Sequence, residues 1–486
     1  MSRSFTARYR QIADALKREI CQGVWKKNDR LPSRAQLCRQ YQVSAITINS
    51  AWKLLTEAGM IEVVHGSGAY VRWTPDDEYA QILPGPRSLR VKERVVYSML
   101  GATPLYTFMM KTLAESFMIS NPDIRIVLTN LPANASYDPW LQKISEDDLP
   151  ACGEFFWHSA YAKLDALLPL EELEGFETLK ESLSPLAFFP TSDAENRPHI
   201  HSILFSIDLP MYVLVNRRIF EMAGISLPER IPNFSTLIRW GKALSRIRKK
   251  HPDIYPTAIP IPAGWHNVKP YLEYLGQNVF DSGFNPNSPE YFEKMFQTEE
   301  STGSLETLGR LRDSGTLLEQ VNETFALGRI GFLPFASSWT LQVLDFLNPN
   351  LEVKPYAMPF HGSRPWKSFI SGFGVGIFRS GCPTENRKKA AWRWLQYLFK
   401  AQPQYVRSQM MNLPVKRDVK AYVQQLHPDF YAIAEQSLKH GVPQFDFVGM
   451  RNVYTRAGRE LAVYFRQKTS AQLCIRNIRY ALQSQK

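Results

Sequence analysis

The chain has 486 residues, enough for two or three domains, and its hydrophobic content of 44% suits ordinary globular cores. No run of about 18 apolar residues appears, and Met1 to Thr6 lack the apolar stretch of a secretory signal, so a cytoplasmic location and no membrane partner are expected. The formal net charge of +12 is uneven: residues 1–75 carry 12 Lys/Arg against 5 Asp/Glu, a concentration that suits nucleic-acid phosphates.

A first helix is expected from Tyr9 to Gln22, with Ile12, Leu16 and Ile20 on its buried face and Gly23 ending it. Lys26, Lys27 and Arg30 follow in a loop. Ser33 and Ser44 stand where helix N-caps stand. Between them Leu37 and Tyr41 share a helical face. Beyond Ser44 the apolar residues Ile48, Ala51, Trp52 and Leu55 line a longer helix, which Gly59 stops. Two short strands then flank His65-Gly66-Ser67-Gly68. Helix, helix and β-ribbon make a winged helix-turn-helix of α+β class, whose second helix enters a DNA major groove.

The residues themselves resemble the DNA-binding domain of GntR-type bacterial transcription regulators. The matching pieces are Tyr9, Ile12-Ala13, Ile20, Gly23, Leu31-Pro32-Ser33, Leu37, Val43-Ser44, Thr47, Ala51, Leu54-Leu55, Gly59 and His65 to Val71. The resemblance implies operator DNA as partner and a homodimer on a two-fold site. Base reading is expected from Ser44, Thr47 and Asn49, where hydroxyls suit phosphates or bases and the Asn amide pairs with adenine. Arg34 is expected at phosphate, and His65 and Gly66 in the wing at the minor groove or backbone. Three family arginines are missing or moved: Ala45 follows Val43-Ser44, Asn49 replaces a basic residue, and Arg34 precedes Ala35. The family's usual operator is therefore not assumed.

Residues 76–92 read as a linker through Asp76, Asp77, Glu78, Pro84, Gly85 and Pro86. From Arg94 strands alternate with helices, which predicts a largely parallel sheet. Val95 to Leu100 reads as a buried strand. Leu105 to Ser120 reads as an amphipathic helix with Phe108, Leu113 and Phe117 inward. A short helix is expected from Trp140 to Ile144. Trp392 and Trp394 belong to a buried helical face.

Residues 93–486 are similar to the sugar-type extracellular solute-binding proteins of ABC importers, the class of maltose-binding protein. The resemblance rests on Val215-Asn216-Arg217-Arg218-Ile219-Phe220 with Ala223-Gly224-Ile225, on Phe325 to Phe332 before Ser337-Ser338-Trp339, and on Ser371 to Ile377. It implies a two-lobed α/β periplasmic-binding-protein-like (type II) domain. One lobe would hold about 93–205 with 370–413, the other about 208–365 with 414–486. Ligand would sit between them. Sugar faces lie on aromatic rings and their hydroxyls need polar partners. Trp157, His158, Trp265, Trp339 and Trp366 are accordingly expected at the cleft. Thr103 is expected there from the first strand-to-helix turn, and Asp208 from the first crossing between lobes. The implied effector is a mono- or oligosaccharide.

Cys21, Cys38, Cys152, Cys382 and Cys474 are scattered and lack metal-ligand spacing, so free thiols, no metal and no cofactor are expected. The alternative reading is a GntR-type regulator carrying a pyridoxal-phosphate aminotransferase-like domain. That chemistry needs a Schiff-base lysine and a pyridinium-binding aspartate, and residues 280–330 offer no lysine in such a setting. A phosphate loop, a zinc-protease motif and a nucleophile elbow are also missing. The expectation is a ligand-responsive regulator and not an enzyme.

Overall fold

The computed structural model of the chain describes residues 8–21, 24–64, 66–72, 91–100, 103–131, 149–156, 158–262, 265–280, 283–297, 299–362, 364–425, 427–447 and 449–483. It divides into two compact units, Met1–Arg90 and Val91–Lys486.

In the first unit α1 spans Arg8–Cys21, α2 Arg34–Tyr41 and α3 Ala45–Glu57, followed by β1 Ile61–Val64 and β2 Gly68–Val71. Ile12, Leu16, Ile20, Leu37, Ile48, Ala51, Trp52 and Leu55 form one buried cluster. Each large apolar side chain so buried contributes roughly 1.5–3 kcal/mol. Ser33 and Gln36 form a reciprocal capping box at the start of α2. Gln42, in the left-handed region at φ 50, ends that helix and turns the chain into α3. Gly59, at φ +68, closes α3. The two strands pair antiparallel from Ile61↔Val71 to Val64↔Gly68. The expected end of α1 at Gln22 and Gly23 lies outside the described residues.

The second unit holds two five-stranded sheets. In one lobe the order is Ile124–Leu131, Glu93–Leu100, Cys152–Phe155, Gly374–Ile377, Ile203–Leu204. In the other it is Thr316–Leu318, Tyr255–Pro260, Ile330–Ala336, Tyr212–Asn216, Val353–Ala357. Neither sheet is as parallel as the alternating pattern predicts. Gly374–Ile377 runs antiparallel to both neighbours, and so does Tyr212–Asn216. Each of these strands enters its lobe from the other lobe, not through a crossover helix, so the right-handed parallel rule does not bind it.

Helix Pro104–Ser120 buries Met109, Met110, Leu113 and Phe117, but Phe108 is 69% exposed. Five residues separate Phe108 from Leu113, which puts them about 140° apart around the helix. Trp392 and Trp394 are buried as expected, with Trp394 edge-on to Tyr97 and Phe117. The expected helix from Trp140 lies outside the described residues.

The lobes are joined by chain crossings that pair with one another. Strand Ser206–Asp208 lies antiparallel to Asn412–Pro414, and Phe369–Ile370 lies parallel to Val442–Pro443. Gly372 sits where a Cβ would stand 2.1 Å from the Ser206 carbonyl oxygen, so this crossing admits no side chain. Among the described residues no helix is long and apolar enough to cross a membrane.

Candidate DNA-binding face and ligand cleft

The start of α3 is held by a local device. Ser44 caps the helix: its Oγ accepts from the Thr47 amide at 3.4 Å and lies 3.1 Å from the Thr47 hydroxyl. Two of the expected base readers therefore satisfy each other in the free protein. The outward face of α3 presents Ala45, Ile46, Asn49 and Lys53, while Ile48, Ala51, Trp52 and Leu55 face the core. Arg34 is exposed, with its guanidinium 5.8 Å from the centre of the Trp52 ring. Gly66 is exposed at φ +75, a conformation a side chain would strain. His65 lies outside the described residues.

The second unit has a cavity of about 170 Å³ between its lobes. Phe156, His158, Phe189 and Thr191 line it from one lobe, and Asn287, Gln444, Phe445 and Asp446 from the other. Ile370, Ser371 and Gly372 of the crossing form its back. His158 opens helix His158–Lys163 and its Nδ1 lies 2.5 Å from the Ser202 hydroxyl. Burial pushes its pKa down to about 4, so it is neutral near pH 7.

Ser159 reaches across the cleft. The Ser159 amide and hydroxyl donate to Asp446 Oδ2 at 2.9 and 3.1 Å, and the same hydroxyl reaches the Asp446 carbonyl at 2.9 Å. Burial raises the Asp446 carboxyl to a pKa of about 7 against the pull of the Ser159 bonds. Its Oδ1 is buried and has no hydrogen-bond partner among the described residues.

The other residues expected at the cleft have separate fates. Asp208 is at the crossing, where Ser371 donates to Oδ2 and Asn412 to Oδ1, each at 3.1 Å. Lys269 lies 3.7 Å from Asp208 Oδ2 and also bonds the Ser371 hydroxyl. This network ties the lobes at their joint, and Asp208 does not line the cavity. Thr103 caps helix Pro104–Ser120, accepting from the Tyr106 amide at 3.2 Å. Trp339, in the first turn of helix Ser338–Leu347, is 46% exposed and away from the cavity lining.

Trp366 is a correction. Its ring is buried beside Phe234 and Tyr274, and its Nε1 donates to Glu273 at 2.7 Å. An indole walled in by its own core has no face to offer a ligand. Trp157 and the side chain of Trp265 lie outside the described residues.

Sequence reasoning missed Asp446, Gln444, Phe445, Asn287 and Thr191. The stretch Pro443-Gln444-Phe445-Asp446 carries no motif. Its place at the cleft comes from pairing of Val442–Pro443 with the crossing strand Phe369–Ile370, a contact between distant segments.

The family model "Bacterial regulatory proteins, gntR family" matches residues 8–71. The chain is 26% identical over 182 residues to the mannosyl-D-glycerate transport/metabolism system repressor MngR of Escherichia coli K12, a match covering 37% of this chain and 60% of that protein. The chain thus spans less than two thirds of the length of the curated relatives it matches first. Two solved structures share the fold of the larger unit. The ABC substrate-binding protein Lmo0181 of Listeria monocytogenes, in complex with cycloalternan, superposes with a TM-score of 0.66 at 15% identity, covering 81% of this chain and 99% of that one. Maltose-bound MalE3 of T. maritima gives 0.64 at 15% identity, covering 81% and 100%. The aminotransferase-like alternative is not supported, because the chain beyond the first unit has a solute-binding fold. With the family model falling on the three helices and the wing, and these folds on the rest, the chain carries a GntR-family helix-turn-helix domain at its N-terminus, followed by a domain similar to maltose-binding-protein-like sugar-binding proteins.

Proposed function

We propose that the chain is a cytoplasmic, homodimeric transcription regulator that binds operator DNA and senses a mono- or oligosaccharide in the cleft of its larger unit. The observation that carries this reading is the joining, in one chain, of a GntR-family domain to a two-lobed fold whose lobes enclose a cavity lined by aromatic and polar residues. Phe156 and Phe189 offer faces for the C–H side of a sugar, and Thr191, Asn287, Gln444 and Asp446 offer hydroxyl partners. MngR is a repressor by name, and Lmo0181 and MalE3 hold saccharides. None of these relatives is named as an enzyme, and the reading is non-catalytic.

Arg34, Ser44, Thr47, Asn49 and Gly66 are the proposed DNA contacts, with His65 added from sequence. His158 and Asp446 are the proposed ligand contacts from the cavity. Trp339, exposed on its helix, and Trp157, added from sequence, are proposed stacking faces, and Thr103 and Asp208 act through the helix cap and the joint. A ligand that bridges both lobes favours their closed arrangement, and through it changes DNA affinity. The two affinities must then shift by the same factor.

The test uses the full chain. A duplex is selected from random sequence, and a panel of mono- and oligosaccharides is screened by melting temperature. One saccharide class is expected to raise the melting temperature with concentration and to change affinity for the selected duplex. The double change Trp157→Ala with Trp339→Ala is expected to abolish that response and leave unliganded DNA binding intact. A panel without any shift, or a shift that leaves DNA affinity untouched, sinks the sensor reading.

A further inference from the structure

The outward face of α3 carries a feature that the family pattern does not supply. Ile46, one residue into the helix, is 77% exposed. A large aliphatic side chain so open to water loses the stabilisation that burial would give it. It is not needed for the core of the unit, which closes on Ile48, Ala51, Trp52 and Leu55. Its neighbours on the same face are Asn49 and Lys53, at spacings of three and seven residues. Ala45 beside it has no side chain beyond Cβ to crowd a groove. Ser50 turns back, its hydroxyl donating to the Ile46 carbonyl at 3.0 Å. Ser44 and Thr47 are engaged with each other. The side chains that project freely from the first two turns of α3 are therefore an aliphatic one and an amide.

In a major groove, the thymine C5-methyl is the apolar group on a base edge, and an aliphatic side chain is its natural partner. The N-terminal residues of a recognition helix are the ones that meet base edges. We propose that Ile46 is a specificity-determining residue that reads the 5-methyl group of a thymine, beside the base read by Asn49. The Cβ atoms of residues three apart on a helix are ~5–6 Å apart, against a rise of ~3.4 Å per base along one strand. The two side chains thus reach the same or adjacent base pairs, and the preferred half-site contains a thymine next to an adenine. This inference rests on the DNA-binding reading above and deepens it.

The experiment takes the duplex that the full chain selects from random sequence. Each thymine is replaced in turn by deoxyuridine, which lacks only the methyl group, and affinity is read by fluorescence anisotropy at one fixed salt concentration. One thymine per half-site is expected to weaken wild-type binding roughly three- to tenfold on replacement. Ile46→Ala is expected to bind the thymine duplex at the wild-type deoxyuridine level and to ignore the replacement. Ile46→Val is expected to keep most of the discrimination, which guards against a variant that merely folds badly. If Ile46→Ala keeps the wild-type thymine-to-deoxyuridine ratio, or changes only the oligomeric state, Ile46 does not read a methyl. A selected sequence indifferent to every replacement overturns this inference and leaves the regulator reading standing. A chain that selects no sequence overturns both.

Discussion

The recognition helix and the cleft hold their side chains over very different distances along the chain. The Ser44 cap reaches Thr47, three residues on. The Ser159 bond to Asp446 joins residues 287 apart. A device made within one helical turn survives as long as its helix does. A device made between lobes exists only while the lobes are together, which lets a ligand that bridges them control it. The first suits a rigid reader, the second a sensor.

The largest break in that comparison is expected at Leu37, wholly buried in the core of the first unit. Leu37→Ala removes transfer energy and leaves a cavity, a loss of ~2–5 kcal/mol. Hydrogen exchange should show it as lost protection of the amides of α1, α2 and α3. Protection unchanged there would mean the helices do not depend on one core.

Asp446 tests the other side. Burial raises its carboxyl from the ordinary 3.8 to about 7, so the buried arrangement favours the protonated form. Burial of Asp446 is then most favourable below the ordinary carboxylate range, even though the Ser159 bonds themselves favour the ionised form. The stability of this buried arrangement falls as pH rises from about 4 to about 7 and levels off above that. His158, the other titratable group on the cavity wall, is already neutral above about 4. Asp446→Asn keeps the shape and removes the titration. Melting curves from pH 4 to 8 should fall for the wild type relative to the variant, by on the order of 4 kcal/mol across the window. Parallel curves would show that Asp446 does not titrate as a buried acid.

Ser44→Ala comes next. It removes the cap from the helix that carries Ile46 and Asn49, at a cost of about 1 kcal/mol. Urea unfolding followed by the amides of α3 reads it directly. A loss near zero would mean that packing of Ile48, Ala51 and Leu55 fixes the helix start unaided.

The same contrast explains what was legible in the sequence. Ser33, Ser44, Gly59 and the apolar positions of α1 and α3 act within a few residues, so their spacing announced the first unit. The general fold of the second unit was visible in strand and helix texture, but not the direction of Tyr212–Asn216 or Gly374–Ile377, which depends on crossing between lobes. His158, expected at the cleft from the resembling family's loop after a strand, lines the cavity. Trp366 was misplaced because a tryptophan in a polar loop looks alike whether it faces a ligand or the core. Asp446 was invisible, since only tertiary pairing of Val442–Pro443 brings it to the cavity.

The smallest stability effect is expected at Lys53, and it separates phosphate binding from base reading. Lys53 lies 3.8 Å from Glu57, and the side chains are 77% and 58% exposed. An exposed pair of this kind, with the lysine N-terminal to its partner, contributes less than about 0.5 kcal/mol, so Lys53→Ala should leave unfolding essentially unchanged. Lys53 nonetheless shares the outward face of α3 with Ile46 and Asn49. If it meets a phosphate, its loss lowers the dependence of log affinity on log salt by about one and weakens all sequences alike. Ile46→Ala should do the reverse, altering which duplex is preferred while the salt slope stays fixed. Equal changes of slope in the two variants would mean that the face of α3 is not divided between backbone and base.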